Sequence, residues 1–210
     1  MSGIFNYLEK SVDIYLPSED TFLLEDALRK DSELINKINP KIILEIGSGT
    51  GYLSNVLEND VLKEKKILIA TDISINACNK TKEFLRSKSK DFDVIRSDLF
   101  SCFKDEQFID LVIFNPPYVP CELSERDKKG SNTYYGGIDG LEVIDEFLKQ
   151  LLGRLTDKSV VYFITMTSSN LLGLSNFQIY LANFNHSIVL SQKNDNEYLS
   201  VHRLCYNFLN

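Results

Sequence analysis

Continuous apolar runs alternate with segments of helical periodicity along most of the chain. Short apolar runs are typical of strands buried in a parallel sheet, and apolar residues three and four apart indicate one helix face. The pattern predicts strands at Val12–Leu16, Ile42–Ile46, Ile67–Thr71, Asp93–Arg96, Leu111–Phe114 and Val160–Thr165, then a hairpin of Ser187–Gln192 and Tyr198–Cys205. Helices are predicted at about 19–30, from Tyr52, at about 141–155 and at about 168–183. This alternation predicts an α/β fold.

The apolar run at Leu111–Phe114 ends in Asn115 and two prolines. Because Pro116 and Pro117 lack a backbone N–H and bias the preceding residue toward extended geometry, the strand cannot continue through them. The result is a rigid corner at the carboxyl edge of the sheet, where α/β proteins bind ligands. Alternatively, the segment is only a turn that ends a core strand, with no role in ligand binding.

This corner suits transfer of a group to a planar –NH2 nitrogen, whose delocalised lone pair makes it a poor nucleophile. The Asn115 side-chain carbonyl and the Pro116 backbone carbonyl can accept both hydrogens and direct the lone pair toward an electrophile. The ring of Tyr118 offers a flat face to such a substrate.

Acids or amides follow four successive strands, at Glu45, Asp72, Asp98 and Asn115. The carboxyl ends of parallel strands share one edge, so we expect these side chains to line one ligand site. Asp72 is placed to accept ribose hydroxyls and Asp98 to accept from an adenine amino group, with Leu99 near the ring. Glu45 either contacts the ligand or orients the loop that follows it, Gly47–Gly51.

A glycine loop, Gly47-Ser48-Gly49-Thr50-Gly51, follows the first of these strands and precedes a predicted helix. Glycines allow the backbone to approach a ligand closely and to turn sharply into the helix. The spacing is GxGxG, which differs from the GxGxxG of dinucleotide-binding proteins.

Composition narrows the class of protein. With 210 residues, 43% of them apolar, one domain spanning 1–210 is expected. The net charge of -7 disfavours a protein that grips nucleic acid. The four cysteines form no CxxC pair, and no run approaches the ~18 apolar residues of a membrane span. His186 and His202 are isolated and are interpreted as structural; the charged stretch 121–133 is either a substrate-contacting lid or a surface loop.

Asn115-Pro116-Pro117-Tyr118 resembles the NPPY motif of S-adenosylmethionine-dependent amino-methyltransferases, which modify adenine N6, cytosine N4 or glutamine amides. The wider set of motifs is similar to HemK-like glutamine methyltransferases, in the eukaryotic and archaeal branch that methylates the Gly-Gly-Gln loop of class I translation termination factors. That set is SEDTFLL (18–24), LEIGSGTG (44–51), TDIS (71–74), SDLF (97–100), FNPPYV (114–119), YYGGIDG (134–140) and EYLSV (197–201).

The resemblance implies a seven-stranded sheet of order 3-2-1-4-5-7-6 with helices on both faces, and methyl transfer to N5 of a protein glutamine without a metal. The methyl donor S-adenosylmethionine (AdoMet) would be held by Thr21, Glu45, Gly47, Gly49, Asp72, Ile73, Asp98, Leu99 and Asn115. Asn115, Pro116 and Tyr118 would be catalytic and would bind the substrate together with Pro117. No role is carried onto Tyr134 and Tyr135.

The resemblance also implies a heterodimer with a small zinc-binding activator and a class I release factor as the substrate. It implies a cytoplasmic location, and it is compatible with a further pool of the protein in the nucleus. In the implied strand order Asp93–Arg96 lies at a sheet edge, and unpaired edges invite pairing. We expect the activator to add a strand there and to cover Phe92, and we expect the chain to be poorly soluble without it.

Four alternatives stay open at this point. A protein-lysine methyltransferase would share most of these motifs. A DNA adenine-N6 methyltransferase would share NPPY, but it must flip a base and hold a polyanion. A nicotinamide-dependent oxidoreductase would explain the glycine loop and Asp72, though not the corner at Asn115. A non-catalytic scaffold of the same fold is the fourth.

Overall fold

Seven strands form one mixed sheet in the order β3-β2-β1-β4-β5-β7-β6. The computed structural model describes residues 14–86, 91–106, 108–120, 135–166, 180, 182, 184–194 and 197–206. The strands are β1 Ile42–Ile46, β2 Ile67–Asp72, β3 Phe92–Arg96, β4 Ile109–Phe114, β5 Leu155–Met166, β6 Phe184–Asn194 and β7 Glu197–Tyr206. The helices are α1 Glu19–Lys30, α2 Ser32–Ile38, α3 Tyr52–Val56 (continued by a π-helical turn, Leu57–Val61), α4 Ile75–Arg86 and α5 Glu142–Leu151.

The sheet is parallel from β3 to β5, and β7 runs antiparallel to both β5 and β6. The strand order that the resemblance implies is therefore confirmed. Strand β4 lies at the centre with every residue buried, because neighbouring strands pair with both of its edges and helices cover both of its faces. This placement puts Asn115 at the middle of the carboxyl edge.

Successive residues of β4 point into two separate cores. Leu111 and Ile113 pack with α1, α2 and α3 on one face of the sheet. Val112 and Phe114 pack with α5 on the other face, where Phe114 and Phe147 have ring centroids 4.9 Å apart. Helices thus cover both faces, as expected. Within the described residues no helix has the length and apolar character needed to span a bilayer.

Strand β5 begins at Leu155 rather than at the predicted Val160, and α5 ends at Leu151. The polar stretch Thr156–Ser159 hides this strand from a hydrophobic pattern, yet Leu155 pairs with Ile109. The prediction of a strand at Val12–Leu16 is wrong for residues 14–16, which form no strand. Its remainder, the segment 121–133 and the predicted helix at 168–183 (except 180 and 182) lie outside the described residues.

His186 and His202 are not isolated in space. His186 Nε2 lies 2.8 Å from His202 Nδ1, the two rings stack, and His202 Nε2 lies 2.8 Å from Thr165 Oγ1. Burial lowers the pKa of His202 to about 3. Hydrogen-bonded imidazoles, buried in His202 and half-buried in His186, are compatible with the structural role expected for both residues.

Candidate active site

A pocket of about 610 Å³ opens at the carboxyl edge of the sheet. Its volume lies in the range usual for small-molecule sites. All residues proposed from the sequence line it: Thr21, Glu45, Gly47, Gly49, Asp72, Ile73, Asp98, Leu99, Asn115, Pro116, Pro117 and Tyr118. Residues far apart in the sequence thus meet in one cavity, and their individual roles remain predictions.

The glycine loop forms one wall of this pocket in a conformation that favours glycine. Gly47, Gly49 and Gly51 have φ values of 66°, 53° and 80°, which side chains other than glycine rarely adopt. Thr81 Oγ1 donates to the Gly49 carbonyl at 3.1 Å, and a Cβ on Gly51 would lie only 3.1 Å from Thr81 Cγ2. Thr81 therefore supports the loop from α4, a role that the sequence analysis missed.

Asp72 joins the glycine loop to the end of β2. Its Oδ2 accepts from the Gly49 N–H at 2.9 Å and its Oδ1 from the Ser74 N–H at 2.8 Å. Burial raises the pKa of Asp72. Because each carboxylate oxygen can accept more than one hydrogen bond, both still have capacity for a pair of ligand hydroxyls.

Glu45 is bound from α3, the helix that follows the glycine loop. Its Oε2 accepts a hydrogen bond from the Ser54 hydroxyl, and the carboxyl is almost fully buried. Burial raises the pKa of Glu45 to about 8. This contact supports the interpretation that Glu45 orients the loop, while the pocket lining keeps it within reach of a ligand.

Leu99 adopts a backbone conformation that is unfavourable for a branched side chain. Its φ of 45° lies in the left-handed region, where residues other than glycine pay a cost of about 1–2 kcal/mol. The Ser97 hydroxyl donates to the Leu99 carbonyl at 3.1 Å, which helps to hold this turn. Such strain is concentrated at ligand sites, and here it places Leu99 in the pocket wall beside the exposed Asp98.

The Asn115 side chain is held by one end only. Its Nδ2 donates to Asp20 Oδ2 at 3.2 Å and lies 3.4 Å from Thr21 Oγ1. Its Oδ1 is buried and has no hydrogen-bond partner among the described residues. A carboxylate can only accept hydrogen bonds, so the amide nitrogen must face Asp20 and the oxygen must point away from it. The amide oxygen of Asn115 therefore keeps unused capacity to accept a hydrogen bond.

Asp20 is the site residue that the sequence analysis missed. It is 3% exposed and lines the pocket, and Tyr118 donates its hydroxyl to Asp20 Oδ2 at 2.9 Å. Burial, and then the charge of Asp20, raise the pKa of Tyr118, so the phenol stays protonated. In the sequence, Asp20 is fully accounted for as an acid in the first turn of a helix, and no local signal shows its second role.

The segment Tyr135–Gly140 packs directly on the backbone of the NPPY corner. The Gly136 N–H donates to the Val119 carbonyl at 2.9 Å. A Cβ on Gly140, whose φ is 74°, would lie 2.3 Å from the Tyr118 carbonyl oxygen. Tyr135 lines the pocket, although no role was assigned to it from the sequence.

The described residues that line the pocket carry negative charge. Six are acidic and none is Lys, Arg or His; the acids are Asp20, Glu45, Asp72, Asp98, Glu142 and Glu146. This lining favours a ligand with positive charge and opposes one with phosphate groups. Nowhere in the described residues do three or more His, Cys, Asp or Glu side chains form a metal-binding group.

The family model for the methyltransferase small domain matches residues 22–126, which run from α1 through the glycine loop to the segment after the NPPY corner. A relative from Schizosaccharomyces pombe, the eRF1 methyltransferase catalytic subunit mtq2, is 32% identical over 178 residues, covering 78% of this chain and 77% of the relative. The chain belongs to the methyltransferase small domain family.

Two further comparisons agree with this assignment. Human methyltransferase HEMK2 is 32% identical over 161 residues, which cover 75% of this chain and 74% of the relative. The fold of this methyltransferase matches a chain of the E. cuniculi Mtq2-Trm112 complex with a TM-score of 0.65, at 24% identity, over 93% of this chain and 100% of the other. The solved complex is described as responsible for methylation of the eRF1 termination factor. Family membership rules out the nicotinamide-dependent oxidoreductase.

Proposed function

We propose that this methyltransferase transfers a methyl group from AdoMet to N5 of the glutamine in the Gly-Gly-Gln loop of a class I release factor. The observation that carries the proposal is the unpartnered oxygen of Asn115. Leaving a buried acceptor without a partner costs about 1–3 kcal/mol, and an amide N–H of the substrate would remove that cost. The eRF1 methyltransferase among the relatives supports the choice of a release factor.

The residues of the pocket fit AdoMet. Its sulfonium is positively charged, and six acidic residues with no basic residue line the described part of the cavity. Burial favours the neutral form of one of them, Glu45, so the other five supply the negative charge. Asp72 would accept from the ribose hydroxyls, Asp98 and Leu99 would hold the adenine, and Glu45, Gly47, Gly49, Ile73 and Thr21 would surround the amino-acid end and the ribose. When bound, AdoMet supplies a methyl group already activated by its sulfonium, so we propose that no metal takes part.

The corner residues would orient the substrate amide. Asn115 Oδ1 would accept one hydrogen of the –NH2 group and the Pro116 backbone carbonyl the other. These two bonds hold the nitrogen and direct its lone pair, which is perpendicular to the amide plane, toward the methyl donor. The Tyr118 ring and Pro117 would flank the planar amide. The fixed donors and acceptors need no reorganisation during the reaction, which is the main source of their catalytic effect.

A DNA base is a poorer acceptor for this site. The chain carries a net charge of -7, and the acids of the pocket would repel a flipped nucleotide with its flanking phosphates. A lysine ammonium would have to lose a proton before attack. The carboxylate bonded to Asn115 already accepts six hydrogen bonds from within the protein, so it is poorly placed to take that proton.

We further propose that a small zinc-binding activator adds a strand to β3 and that the heterodimer works in the cytoplasm. Among the described residues, strand β3 pairs with β2 alone and so forms an edge of the sheet. The solved Mtq2-Trm112 complex supports a partner of this kind. Phe92, expected to be an exposed apolar neighbour of this edge, is half-buried and packs against the core. The exposed apolar residues on β2 and directly after it are Ile67, Ile73 and Ile75.

Hydrogen exchange can test the partner site. We expect the amides of Phe92–Arg96 to gain protection when the activator is added, while the other edge strand, β6, stays unchanged. Chain expressed without the activator should be poorly soluble. A well-behaved monomer with full activity would contradict this part of the proposal.

The substrate is tested with labelled AdoMet. The purified heterodimer is incubated with a release factor, with the same factor carrying Gln→Ala in its Gly-Gly-Gln loop, and with duplex DNA. We expect label in the intact factor only. Label in the Gln→Ala factor would indicate another acceptor such as lysine, and label in DNA would overturn the assignment.

A further inference from the structure

Asp20 sits between the helix that closes one side of the pocket and the corner that would receive the substrate. Its Oδ1 accepts from four donors on the α1 side: the Tyr15 hydroxyl at 2.7 Å, the Ser18 hydroxyl at 3.1 Å, and the Thr21 N–H and hydroxyl at 2.6 and 3.2 Å. Its Oδ2 accepts from two donors on the corner side, Asn115 Nδ2 and the Tyr118 hydroxyl.

Because Asp20 Oδ2 accepts from the corner side, it determines which end of the Asn115 amide, the nitrogen or the oxygen, faces Asp20. The two ends of an amide are nearly equal in size and opposite in hydrogen bonding. Without an acceptor at Asp20 Oδ2, only the longer contact of Asn115 Nδ2 with Thr21 Oγ1, at 3.4 Å, would oppose a turn of the amide that presents –NH2 to the substrate. An –NH2 group facing the –NH2 of a glutamine would repel it.

We propose that Asp20 is a positioning residue for methyl transfer: it holds Asn115 with its oxygen toward the substrate and holds the Tyr118 phenol beside it. Asp20 acts through these two side chains and takes no proton from the substrate. The inference rests on the proposed function and identifies the group on which its acceptor geometry depends.

The isosteric change Asp20→Asn tests this role directly. One oxygen becomes a donor, and the four donors on the α1 side require the remaining oxygen. The new –NH2 group then faces Asn115, whose amide must turn to accept from it, and the substrate meets a donor. We expect the turnover of the heterodimer on a release factor to fall ~10²-fold. AdoMet affinity by calorimetry should fall far less, by the effect of one neutralised acid among those that line the pocket.

Asp31→Asn is the matched control, because Asp31 is also a carboxylate that accepts from a tyrosine and a basic side chain, Tyr162 and Arg203, but it does not line the pocket. It should lower the melting temperature while turnover stays within about threefold of wild type. A merely structural Asp20 would behave in the same way as Asp31.

Two double variants separate positioning from folding. If Asp20 acts mainly through Asn115, adding Asp20→Asn to Asn115→Ala should reduce turnover far less than Asp20→Asn reduces it in the wild type. The small remaining loss would come from Tyr118, whose hydroxyl also donates to Asp20. The reciprocal exchange, Asp20→Asn with Asn115→Asp, restores a matched pair and an acceptor facing the substrate. It should recover roughly tenfold of the lost turnover relative to Asp20→Asn, and this comparison remains decisive if Asp20→Asn is unstable.

Three outcomes would overturn the inference: normal turnover in Asp20→Asn, losses that multiply in the first double variant, or no recovery in the reciprocal exchange. Each requires that the wild-type heterodimer methylates the release factor. If the wild type does not, the proposed function fails, and the inference that rests on it falls with it.

Discussion

Asn115 Nδ2 donates to Asp20 Oδ2 at 3.2 Å across 95 residues of sequence. The bond joins the end of the central strand β4 to the first turn of α1, so two elements that fold on opposite sides of the pocket are fixed relative to each other. Its second effect is on chemistry, because it leaves Asn115 Oδ1 as an acceptor with no partner among the described residues.

Replacing Asn115 by Ala should separate catalysis from cofactor binding. The change removes one of two acceptors proposed to direct the substrate nitrogen, and loss of one preorganised contact typically costs ~10²–10³ in turnover. AdoMet affinity should change far less, since Asp72 and Asp98 are the residues proposed to hold the nucleoside. Turnover is measured on the release factor and affinity by calorimetry. Asn59→Ala is the control, because Asn59 bonds only to Asn55 in the contacts seen here; near-normal turnover in Asn115→Ala would reduce Asn115 to a turn residue.

Replacing Asp72 by Ala should weaken AdoMet binding. We expect a loss of ~1.5–3 kcal/mol in the free energy of binding, the scale of a hydrogen bond to a charged group, since the change removes both the proposed ribose contacts and the bond to the Gly49 N–H. Calorimetry measures the affinity, and circular dichroism checks that the fold survives. Asp60→Ala, which removes an exposed carboxylate paired with Arg29, should bind normally. Unchanged affinity in Asp72→Ala would show that the ribose assignment is wrong.

Glu45 should make the stability of the cofactor-free protein depend on pH. Burial raises its pKa to about 8, from 4.5 for an ordinary glutamate. The folded chain therefore binds this proton more tightly than the unfolded chain, and the Glu45 contribution to the free energy of unfolding decreases as the pH rises from about 4.5 to about 8. Denaturant titrations at intervals across this range measure it. The Glu45→Gln variant cannot titrate at this position, so it should lose less free energy of unfolding than the wild type over this pH range. Identical pH profiles of the two proteins would mean that Glu45 is ionised throughout.

The sequence predicts a strand well where the residues of that strand are mostly apolar and buried. Strands β1, β2 and β4 are mostly apolar, and their positions are confirmed within a residue or two. The start of β5 could not be predicted in this way, because residues Thr156–Ser159 are polar. They extend the strand through tertiary bonds instead: the Thr156 hydroxyl donates to Asp110 at 2.9 Å and the Ser159 hydroxyl to the Ile109 carbonyl at 2.5 Å.

Some residues of the candidate site can be predicted from the sequence and others cannot. Asp72, Asp98 and Asn115 follow strands whose carboxyl ends must meet at one edge, so their convergence can be predicted from topology. The position of Asp20 cannot be predicted in this way, because only the packing of α1 over the sheet brings it to Asn115. The contact between His186 and His202 depends likewise on hairpin register, which a bulge between Ile188 and Leu190 shifts.

The glycine segment behind the NPPY corner provides the last prediction. The backbone of Gly140 lies so close to the corner that an added Cβ would be 2.3 Å from the Tyr118 carbonyl oxygen, and its φ of 74° is already unfavourable for alanine. Gly140→Ala must therefore shift the Tyr118 backbone, and with it the acceptor geometry. We expect the free energy of unfolding to fall by at least ~1–2 kcal/mol, the cost of the left-handed conformation for a residue other than glycine.

Turnover in Gly140→Ala should fall by roughly 10–10²-fold, because small displacements of positioning groups have effects of that size. AdoMet affinity should stay near wild type, since the glycine loop and Asp72 are untouched. Gly153→Ala is the matched control: its nearest contact would be Asp105 Cβ at an ordinary 3.6 Å, so it should keep full turnover and gain up to ~1 kcal/mol from the stiffer unfolded chain. If Gly140→Ala lost stability but kept full turnover on the release factor, the segment Tyr135–Gly140 would support the fold without setting the position of the substrate amide.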